Sequence, residues 1–302
     1  MRLKLKGFVA LLLGVSCFFT ITACSTTKVQ DIKLVSSSSK QEEVEAKSSE
    51  PVAASSAQET VTEQSIAPDT TSVIPPETPK DGKIHIKYVG NSCFYIVFAD
   101  GTKLVTDPYG STYAPNFAPF PTLEANVMTI SHMHADHIAG EAEIGGNPQI
   151  LQPDPIDVPV KVGDVEITSY TSNHPADMGT NIIFVYKEGK HKIVNMGETD
   201  TIDSPEAKAA VKGADVIFAY AGQFGTVKNK DSFETLSKMN FKVMIPQHFS
   251  MDPANLFYGA PTIDTILTEL PQGMKVTKAD ELIVTEDMAK QFVVLSPIGQ
   301  KK

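Results

Sequence analysis

NVMTISHMHADHIAG, residues 126–140, is the stretch of sequence that decides the fold. It brings together, within six residues, three of the seven histidines of the chain and one aspartate: His132, His134, Asp136 and His137. The apolar run before them predicts a short strand, so the cluster lies on the loop that leaves this strand. Side chains at such positions commonly form the sites of α/β proteins.

The residue types in this cluster are typical of metal ligands. On a loop, the spacing His-x-His can place the imidazoles of His132 and His134 on one side, with Asp136 and His137 facing back toward them. Three imidazoles and a carboxylate suit zinc, and manganese or iron are alternatives. A lone histidine is more often a surface residue or a satisfied core residue, but three with an aspartate at this spacing favour a metal site.

Two further histidines follow predicted strands. His174 comes after the run VEITSYTSN, and His248 comes after KVMIPQ. Each alone is more often structural, but together with the cluster they can complete a site. His85 lies within the first predicted strand and His191 begins another, so we interpret both as non-ligands.

Residues 81–302 are long enough for a single folded domain. Short runs rich in β-branched and aromatic residues predict strands at 84–90, 93–98, 103–107, 126–131, 165–170, 181–186, 191–196, 215–220 and 242–246. Ser204 and Pro205 predict a capped helix that ends before Gly213, and 232–239 and 261–270 are further helix candidates. Many early strands with helices inserted between later ones indicate a layered α/β or α+β protein.

The motif His132-x-His134-x-Asp136-His137-x-x-Gly140 resembles the signature of the metallo-β-lactamase-fold hydrolase superfamily. The resemblance covers essentially all of residues 81–302. It implies an α/β (α+β) fold, the four-layered αβ/βα sandwich, in which two mixed β-sheets pack face to face with helices outside. The early landmarks look most like the compact ascorbate-phosphate-lactonase-like branch: Gly90-Asn91-Ser92, Phe94 and Asp107-Pro108.

The resemblance also implies a set of ligands for two metal ions. The first ion would be held by His132, His134 and His174, and the second by Asp136, His137 and His248. Two zinc ions per chain are implied, with Mn²⁺ or Fe²⁺ possible. Asp107 would support the metal loop from behind the ligands.

Glu198 is a departure from the family pattern. Gly197-Glu198-Thr199 falls where the family reads Gly-Asp-Thr, whose aspartate bridges the two metals. Glutamate reaches about 1.5 Å further, whereas metal–ligand distances tolerate only about 0.2 Å. We predict that Glu198 bridges, and two alternatives stay open: Asp200 takes over, or neither residue does.

The implied activity is hydrolysis by a metal-bound hydroxide. Water on zinc has its pKa lowered to about 7, so no serine or cysteine nucleophile is needed, and Asp136 and His134 are the predicted catalytic residues. The bond cleaved would be an ester, lactone, thioester, amide or phosphodiester bond in a small-molecule or lipid substrate. The alternative is a catalytically inactive metal-binding or solute-binding lipoprotein.

Four residues on loops near these motifs are candidates for lining a substrate pocket: Tyr220, Gln223, Phe249 and Tyr258. Ordinary loop packing is the alternative for most of them. Cys93 lies in a strand-like run, and we interpret it as a small buried hydrophobic residue.

The charge of the chain argues against a nucleic-acid partner. With 26 Lys+Arg against 36 Asp+Glu, the formal net charge is −10, which does not suit a phosphate backbone. The one arginine is Arg2. Its isolation weighs mildly against phosphorylated substrates, because guanidinium clamps are absent from the rest of the chain.

The N-terminal residues have the features of a secretion signal. A basic start and an apolar run form the layout of a signal peptide over residues 1–23, and Ile21-Thr22-Ala23-Cys24 resembles the lipobox of bacterial lipoproteins. That resemblance implies cleavage before Cys24, lipidation of its sulfur, and a protein anchored on a membrane and facing outside the cytoplasm. An uncleaved membrane anchor is the alternative. Residues 24–80 are predicted to be a disordered tether rich in Ser, Thr, Pro and Glu.

Overall fold

The computed structural model describes residues 76–156, 158–199, 201–223, 225 and 227–298. The chain divides into two units, Met1–Ser65 and Ile66–Lys302, and every described residue belongs to the second. The predicted signal peptide, Cys24 and residues 24–75 of the predicted tether lie outside the described residues, as does Asp200.

Strands are the most abundant regular element in the described part of the chain. They are β1 (Ile84–Gly90), β2 (Cys93–Val97), β3 (Lys103–Thr106), β4 (Leu123–Glu124), β5 (Val127–Thr129), β6 (Ile144–Gly145), β7 (Gln149–Leu151), β8 (Val160–Val162), β9 (Val165–Asn173), β10 (Thr180–Glu188), β11 (His191–Asn195), β12 (Val216–Tyr220), β13 (Val243–Gln247), β14 (Val276–Ala279), β15 (Leu282–Val284) and β16 (Gln291–Leu295).

Helices are short and lie between the strands. They are α1 (Gly110–Tyr113), α2 (Ala135–Ile138), α3 (Pro205–Val211), α4 (Asn229–Ser237) and α5 (Ile263–Thr268), with 3₁₀ turns at Ala114–Asn116, Glu141–Glu143, Pro175–Asp177 and Phe257–Gly259. Ser204 caps α3, since its hydroxyl accepts a hydrogen bond from the backbone N–H of Ala207.

The strands form two large mixed sheets. The six-stranded sheet has the order β15-β1-β2-β3-β5-β7, and the eight-stranded sheet has the order β14-β16-β13-β12-β11-β10-β9-β8. In the first, β3, β5 and β7 run parallel and the remaining pairs are antiparallel. In the second, the parallel part runs from β14 to β11 and the antiparallel part from β11 to β8. Strands β4 and β6 form a small separate pair.

The two sheets pack face to face through aromatic residues. The rings of Phe94 on β2 and Phe218 on β12 stack with their centroids 3.8 Å apart, and both belong to one continuous buried cluster. Because neighbouring residues of a strand point to opposite faces, Cys93 and Tyr95 must lie on the outer face of the first sheet. They belong to a second buried cluster there, with Tyr109.

The outer face of the second sheet is covered by helices. Its register places Met244 beside Phe292 and Ile217 beside Met244, on the face opposite to Phe218. Phe233 of α4 packs against the ring of Phe292. The predicted fold, two mixed sheets with helices outside, is therefore confirmed.

All nine apolar runs that predicted strands lie on strands. The predicted helices also form, although α4 begins three residues before the predicted Ser232 and α5 is shorter than predicted. Within the described part of the chain, no helix is both long enough and apolar enough to span a membrane.

Candidate metal centre

The site is built by loops that leave strands of both sheets. The motif loop follows β5 of the six-stranded sheet, while the loops after β9, β11 and β13 of the eight-stranded sheet bring His174, Glu198 and His248. The sequence analysis predicted that the whole motif lies on a loop, and the structure corrects this prediction. His134 precedes one short helical turn, α2, which carries Asp136 and His137.

The first group of candidate ligands is His132, His134, His174 and Glu198. Nε2 of His132 lies 3.1 Å from Nδ1 of His134 and 3.3 Å from Oε1 of Glu198. Nε2 of His174 faces the other carboxylate oxygen of Glu198 at 3.2 Å. Three imidazole nitrogens and one carboxylate oxygen thus point at a common centre.

The second group is Asp136, His137, His248 and the same Glu198. Oε1 of Glu198 lies 2.9 Å from Nε2 of His137 and 3.0 Å from Nε2 of His248. The Nε2 atom of His248 is also 3.2 Å from Oδ2 of Asp136. Glu198 therefore belongs to both groups and lies between them.

The chemistry of these donors fits divalent metal ions. In each group the four ligand atoms lie within 4.8 Å of one another, and imidazole with carboxylate is a typical zinc set. Nε2 of His174 and Oε2 of Glu198 are buried and accept or donate no hydrogen bond among the described residues. Buried polar atoms without a partner are costly, and a metal between them would satisfy both.

Polar groups behind the histidines fix their orientation. Nδ1 of His174 donates to the backbone oxygen of Pro175 at 2.8 Å, which leaves its Nε2 as the free donor atom for a metal. Nδ1 of His132 lies 3.0 Å from Oγ of Ser131. Such outer hydrogen bonds determine which ring nitrogen is able to bind a metal.

Asp107 occupies the supporting position that the resemblance implied. Its carboxylate accepts hydrogen bonds from the backbone N–H of Ser131 at 2.7 Å and from Nδ2 of Asn195 at 2.9 Å. One of its oxygens also lies 3.4 Å from Nδ1 of His137. Asp107 thus joins the start of the motif loop to β11 and orients one imidazole of the second group.

The two groups differ in their electrostatics. Burial lowers the pKa of His132 to about 4, and the charge of His137 acts in the same direction. Burial would also lower the pKa of His248, but the carboxylates of Glu198 and Asp136 outweigh it and raise this pKa to about 9. Without metal, His132 is therefore neutral at pH 7, whereas His248 carries a proton.

The carboxylates of the second group stay ionised. Burial favours the protonated form of Asp136 and Glu198, but the neighbouring His137 and His248 outweigh it and hold the pKa of each carboxyl well below its usual range. The carboxylates of Asp136, Asp107 and Glu198, Asp136 first, raise the pKa of His137 well above its ordinary value despite its burial. In the metal-free protein, protons on imidazoles take the place of metal charge beside these carboxylates.

Carboxamides that the sequence analysis missed hold Glu198 in place. Asn181 accepts a hydrogen bond from the backbone N–H of Glu198 at 2.9 Å, and it donates to Thr199 and to the backbone of Met196. Gln247 donates to the backbone oxygen of Gly197. Both residues lie at the ends of apolar runs in the sequence. A carboxamide at such a position can make hydrogen bonds to segments outside its own strand, and this pattern could have identified them.

Asn91 supports Asp136 directly. Its Nδ2 donates to Oδ2 of Asp136 and to the backbone oxygen of the same residue, both at 3.0 Å. Asn91 had been noted as a sequence landmark without a role. The structure shows that this landmark fixes the carboxylate of the second group.

The glycine that closes the motif is required by a close approach of two loops. A Cβ on Gly140 would lie 2.6 Å from the backbone nitrogen of Gly110, and the N–H of Gly140 donates to the backbone oxygen of Pro108. Only a residue without a side chain fits at this contact. Gly140 therefore ties the end of the motif to the loop after β3.

A cavity of about 590 Å³ opens above the two groups. Its described lining comprises Tyr113, Met133, His134, Ala135, Asp136, Met178, Glu198, His248 and Tyr258. Of the four residues predicted from the sequence to line a pocket, Tyr258 does so. Phe249 instead stacks on Tyr88 in the core, Gln223 donates to Glu269, and Tyr220 is buried with its ring 5.7 Å from that of His248.

His85 and His191 belong to neither donor group. His85 lies between the carboxylates of Asp81 and Glu281, and His191 faces Asp215. Cys93 is fully buried in β2, as its interpretation as a small hydrophobic residue required, and burial raises the pKa of its thiol well above the ordinary value.

Residues 85–248 match the model of the family described as Beta-lactamase superfamily domain. This match covers more than half of the chain and includes all seven candidate ligands, so the protein belongs to this family. A UPF0173 metal-dependent hydrolase from Methanosphaera stadtmanae is 37% identical over 62 residues. That alignment covers 20% of the chain and 26% of the relative, so it spans about a quarter of the relative's length.

A solved structure supports the fold. A protein from Thermotoga maritima, assigned to the Zn-dependent hydrolases of the metallo-beta-lactamase superfamily, superposes with a TM-score of 0.55 at 24% identity. The superposition covers 70% of this chain and 98% of the other. At this level of identity the likeness concerns the architecture of the two sheets.

Proposed function

We propose that the protein is a metal-dependent hydrolase that holds two metal ions. His132, His134 and His174 would hold one ion, and Asp136, His137 and His248 the other, with Glu198 shared between them. The observation that carries this proposal is that two four-residue donor groups share one carboxylate and open onto a cavity. Zinc suits the imidazole-rich donors best, and Mn²⁺ or Fe²⁺ are the alternatives.

When bound, such metals supply an activated water near neutral pH and polarise the oxygen of the bond to be cleaved. The residues of the chain have the tasks of positioning and proton transfer. Asp136 borders the cavity and is fixed by Asn91, so its ionised carboxylate is placed to orient water and accept a proton. His134 also borders the cavity, close to where a substrate would lie.

The bond cleaved is an ester, lactone, thioester, amide or phosphodiester bond. For an ester, the acyl carbon–oxygen bond breaks, and the oxygen of water bonds to the acyl carbon. One proton of that water goes to the leaving oxygen, and the product acid releases the other. No serine or cysteine needs to be acylated, and Cys93 is buried in β2.

Metal counting and turnover test the proposal together. The full-length protein should retain about two transition metals per chain after loosely bound ions are removed, as counted by mass spectrometry. It should also hydrolyse members of a panel of esters, lactones and phosphodiesters. His134→Ala should abolish this turnover while circular dichroism shows the fold intact, whereas His191→Ala should match the parent.

Three results would contradict the proposal. Full turnover by His134→Ala would refute the metal mechanism, and a protein that takes up no metal after zinc or manganese is added would refute the site. Two metals without turnover of any substrate would favour the non-catalytic metal-binding alternative.

We also propose that the protein is anchored to a membrane through a lipid on Cys24 and faces outside the cytoplasm. The support is the lipobox-like sequence Ile21-Thr22-Ala23-Cys24 after an apolar run. Cys24→Ser should release the protein from the membrane fraction or leave it unprocessed at higher mass. Unchanged size and membrane retention would instead favour an uncleaved anchor.

A further inference from the structure

Exposed apolar side chains surround the mouth of the cavity above the metal centre. Met133 is 58% exposed, Met178 is 48% exposed and Tyr258 is 75% exposed, and all three line the cavity. They lie on three different loops, each of which follows or contains a candidate histidine ligand. Each of these loops therefore contributes one apolar side chain beside the reaction centre.

This concentration of apolar surface is specific to the cavity. Eight large hydrophobic side chains are exposed among the described residues, and three of them line this one cavity, with exposed Leu256 two residues before Tyr258. Single exposed apolar residues are ordinary, but a group around a concave site marks a binding surface. Methionine suits such a surface, because its flexible side chain adapts to different apolar shapes.

The cavity offers little for an anionic substrate. None of the described residues that line it is a lysine or an arginine, and the single arginine of the chain is Arg2. Its carboxylate and imidazole lining consists of His134, Asp136, Glu198 and His248, all of which belong to the candidate metal centre, and the phenol groups of Tyr113 and Tyr258 are its other polar side chains. Away from the metal ligands, the surroundings of the substrate are therefore uncharged and mainly apolar.

We infer that the substrate is an uncharged ester or lactone whose apolar acyl group packs against Met133, Met178 and Tyr258. The inference rests on the proposed hydrolase function for its chemistry and on the cavity for its selectivity. A cavity of about 590 Å³ is within the size range of sites for small organic ligands. Burial of each methylene of the acyl group against this lining favours binding.

A binding series tests the apolar contact without requiring turnover. The metal-loaded full-length protein would be titrated by calorimetry with acetohydroxamic, butyrohydroxamic and octanohydroxamic acids, which share one metal-binding head. We expect octanohydroxamic acid to bind at least tenfold more tightly than acetohydroxamic acid. Equal affinities across the series would overturn the inference.

Matched variants locate the contact. Met178→Ser and Tyr258→Ser should each reduce the gain in affinity between the shortest and the longest acid by several fold. Ile150→Ser is the control, since Ile150 is also exposed but does not line the cavity, and it should keep the full gain. A gain that survives both cavity substitutions would show that the acyl group binds elsewhere and would overturn the inference.

A turnover series separates this inference from the proposed function. 4-Nitrophenyl octanoate should be cleaved with a higher kcat/KM than the acetate ester, and bis(4-nitrophenyl) phosphate should be cleaved more slowly than both. Faster cleavage of the phosphodiester would overturn the inference and leave the hydrolase function intact. If affinity rose with acyl chain length but no ester were cleaved, the apolar contact would be retained and the proposed hydrolase function would be overturned.

The same chemistry could reach the site from a membrane or from solution. A palmitoyl ester in phosphatidylcholine vesicles, compared with the soluble octanoyl ester, distinguishes these sources. Cleavage of both would assign an acyl lipid, and cleavage of the soluble ester alone would assign a free small molecule. Both results retain the apolar contact.

Discussion

At the scale of single residues, the substitution of glutamate for the bridging aspartate is the most informative feature of the site. The longer side chain raised the question of whether the bridge survives. Glu198 Oε1 lies within 3.3 Å of one nitrogen each of His132, His137 and His248, and Oε2 lies 3.2 Å from His174. The backbone N–H of Glu198 is held by Asn181, so its extra length is directed into the space between the two groups.

Removal of the charge of Glu198 should weaken the second metal first. Glu198→Gln keeps the length of the side chain, but the first group retains three histidines while the second loses one of its two carboxylates. We expect the metal content to fall from about two to about one per chain, measured by mass spectrometry. Glu188→Gln is the control, because Glu188 bonds the backbone N–H of Ala99 and Asp100 away from the site, and it should retain both metals.

Metal uptake should depend on pH in a different way for the two groups. His248 has a pKa of about 9 in the metal-free site, so below that pH a proton must leave before a metal binds. His132, with a pKa of about 4, has already lost its proton at neutral pH. The pKa of His137 is also raised well above its ordinary value, so the second group has more than one proton to lose. We expect the zinc affinity of the second group to rise at least about tenfold per pH unit between pH 6.5 and 8.5, and that of the first group to change less.

Competition with a chelator of known affinity, at several pH values, measures both affinities in the stripped protein. If both zinc affinities depended equally on pH, the assignment of the protonated histidines, His137 and His248, to the second group would be contradicted.

At the scale of elements, the turn after β11 positions Glu198. Gly197 has a positive φ of 54°, and a Cβ there would lie 2.3 Å from Oδ1 of Asn181 and 2.6 Å from Cβ of Ser131. That atom of Asn181 is the same one that accepts the N–H of Glu198. A side chain at position 197 would therefore displace the support of the bridging carboxylate.

Gly197→Ala should destabilise the fold and reduce metal content. Left-handed backbone strain costs about 1–2 kcal/mol and overpacking about 1–3 kcal/mol, so we expect a loss of about 2–5 kcal/mol in the free energy of unfolding, measured with urea. Gly213→Ala is the control, because Gly213 also has a positive φ but a Cβ there would meet nothing within 4 Å. Equal losses in the two variants would show that the close contacts around Gly197 are unimportant.

The elements that could be predicted from the sequence are the buried ones. Strand β1 matches its predicted bounds, because Ile84, Ile86 and Tyr88 give it one apolar face and its burial is nearly complete. Strands β8 and β14 were missed, since both lie at an edge of the large sheet and are partly exposed, so their composition carries little hydrophobic signal. Strand β16, although apolar, was also missed.

The sequence predicted the candidate metal ligands more completely than the residues that line the cavity around them. Histidine and aspartate at fixed spacing carry a chemical signal that is independent of the fold, and the structure brings together all seven predicted ligands. Met133 and Met178 carry no such signal, because an apolar residue in a sequence is normally read as core. Their place at the cavity depends on how distant loops meet, which the sequence alone does not specify.

At the scale of the whole molecule, the candidate metal ligands come from both sheets. The motif loop leaves the six-stranded sheet, and His174, Glu198 and His248 leave the eight-stranded sheet. Beyond the contact of their inner faces, the sheets are thus connected at one end through the ligands. Bound metal would add a link between two layers that are also held by apolar packing and by buried hydrogen bonds such as those of Asp107 with Asn195 and of Thr129 with Tyr186.

Removal of metal should therefore lower the thermal stability of the whole domain. A ligand present at a hundred times its dissociation constant stabilises the native state by about 2.7 kcal/mol, which corresponds to about 5–10 °C in Tm for a domain of this size. Differential scanning calorimetry of the stripped and reloaded protein measures this difference. An unchanged Tm would show that the folded domain binds the metal no more tightly than the unfolded chain does.

The order of the candidate ligands along the chain is also the order in which they are synthesised. During synthesis, His132, His134, His174 and Glu198 emerge before His248, so every member of the first donor group exists while the second still lacks one. Nothing in the second group can be completed until β13 has been made, because His248 follows that strand directly. The residues of the first donor group are thus all present before the second is complete, and Glu198, which belongs to both groups, is among them.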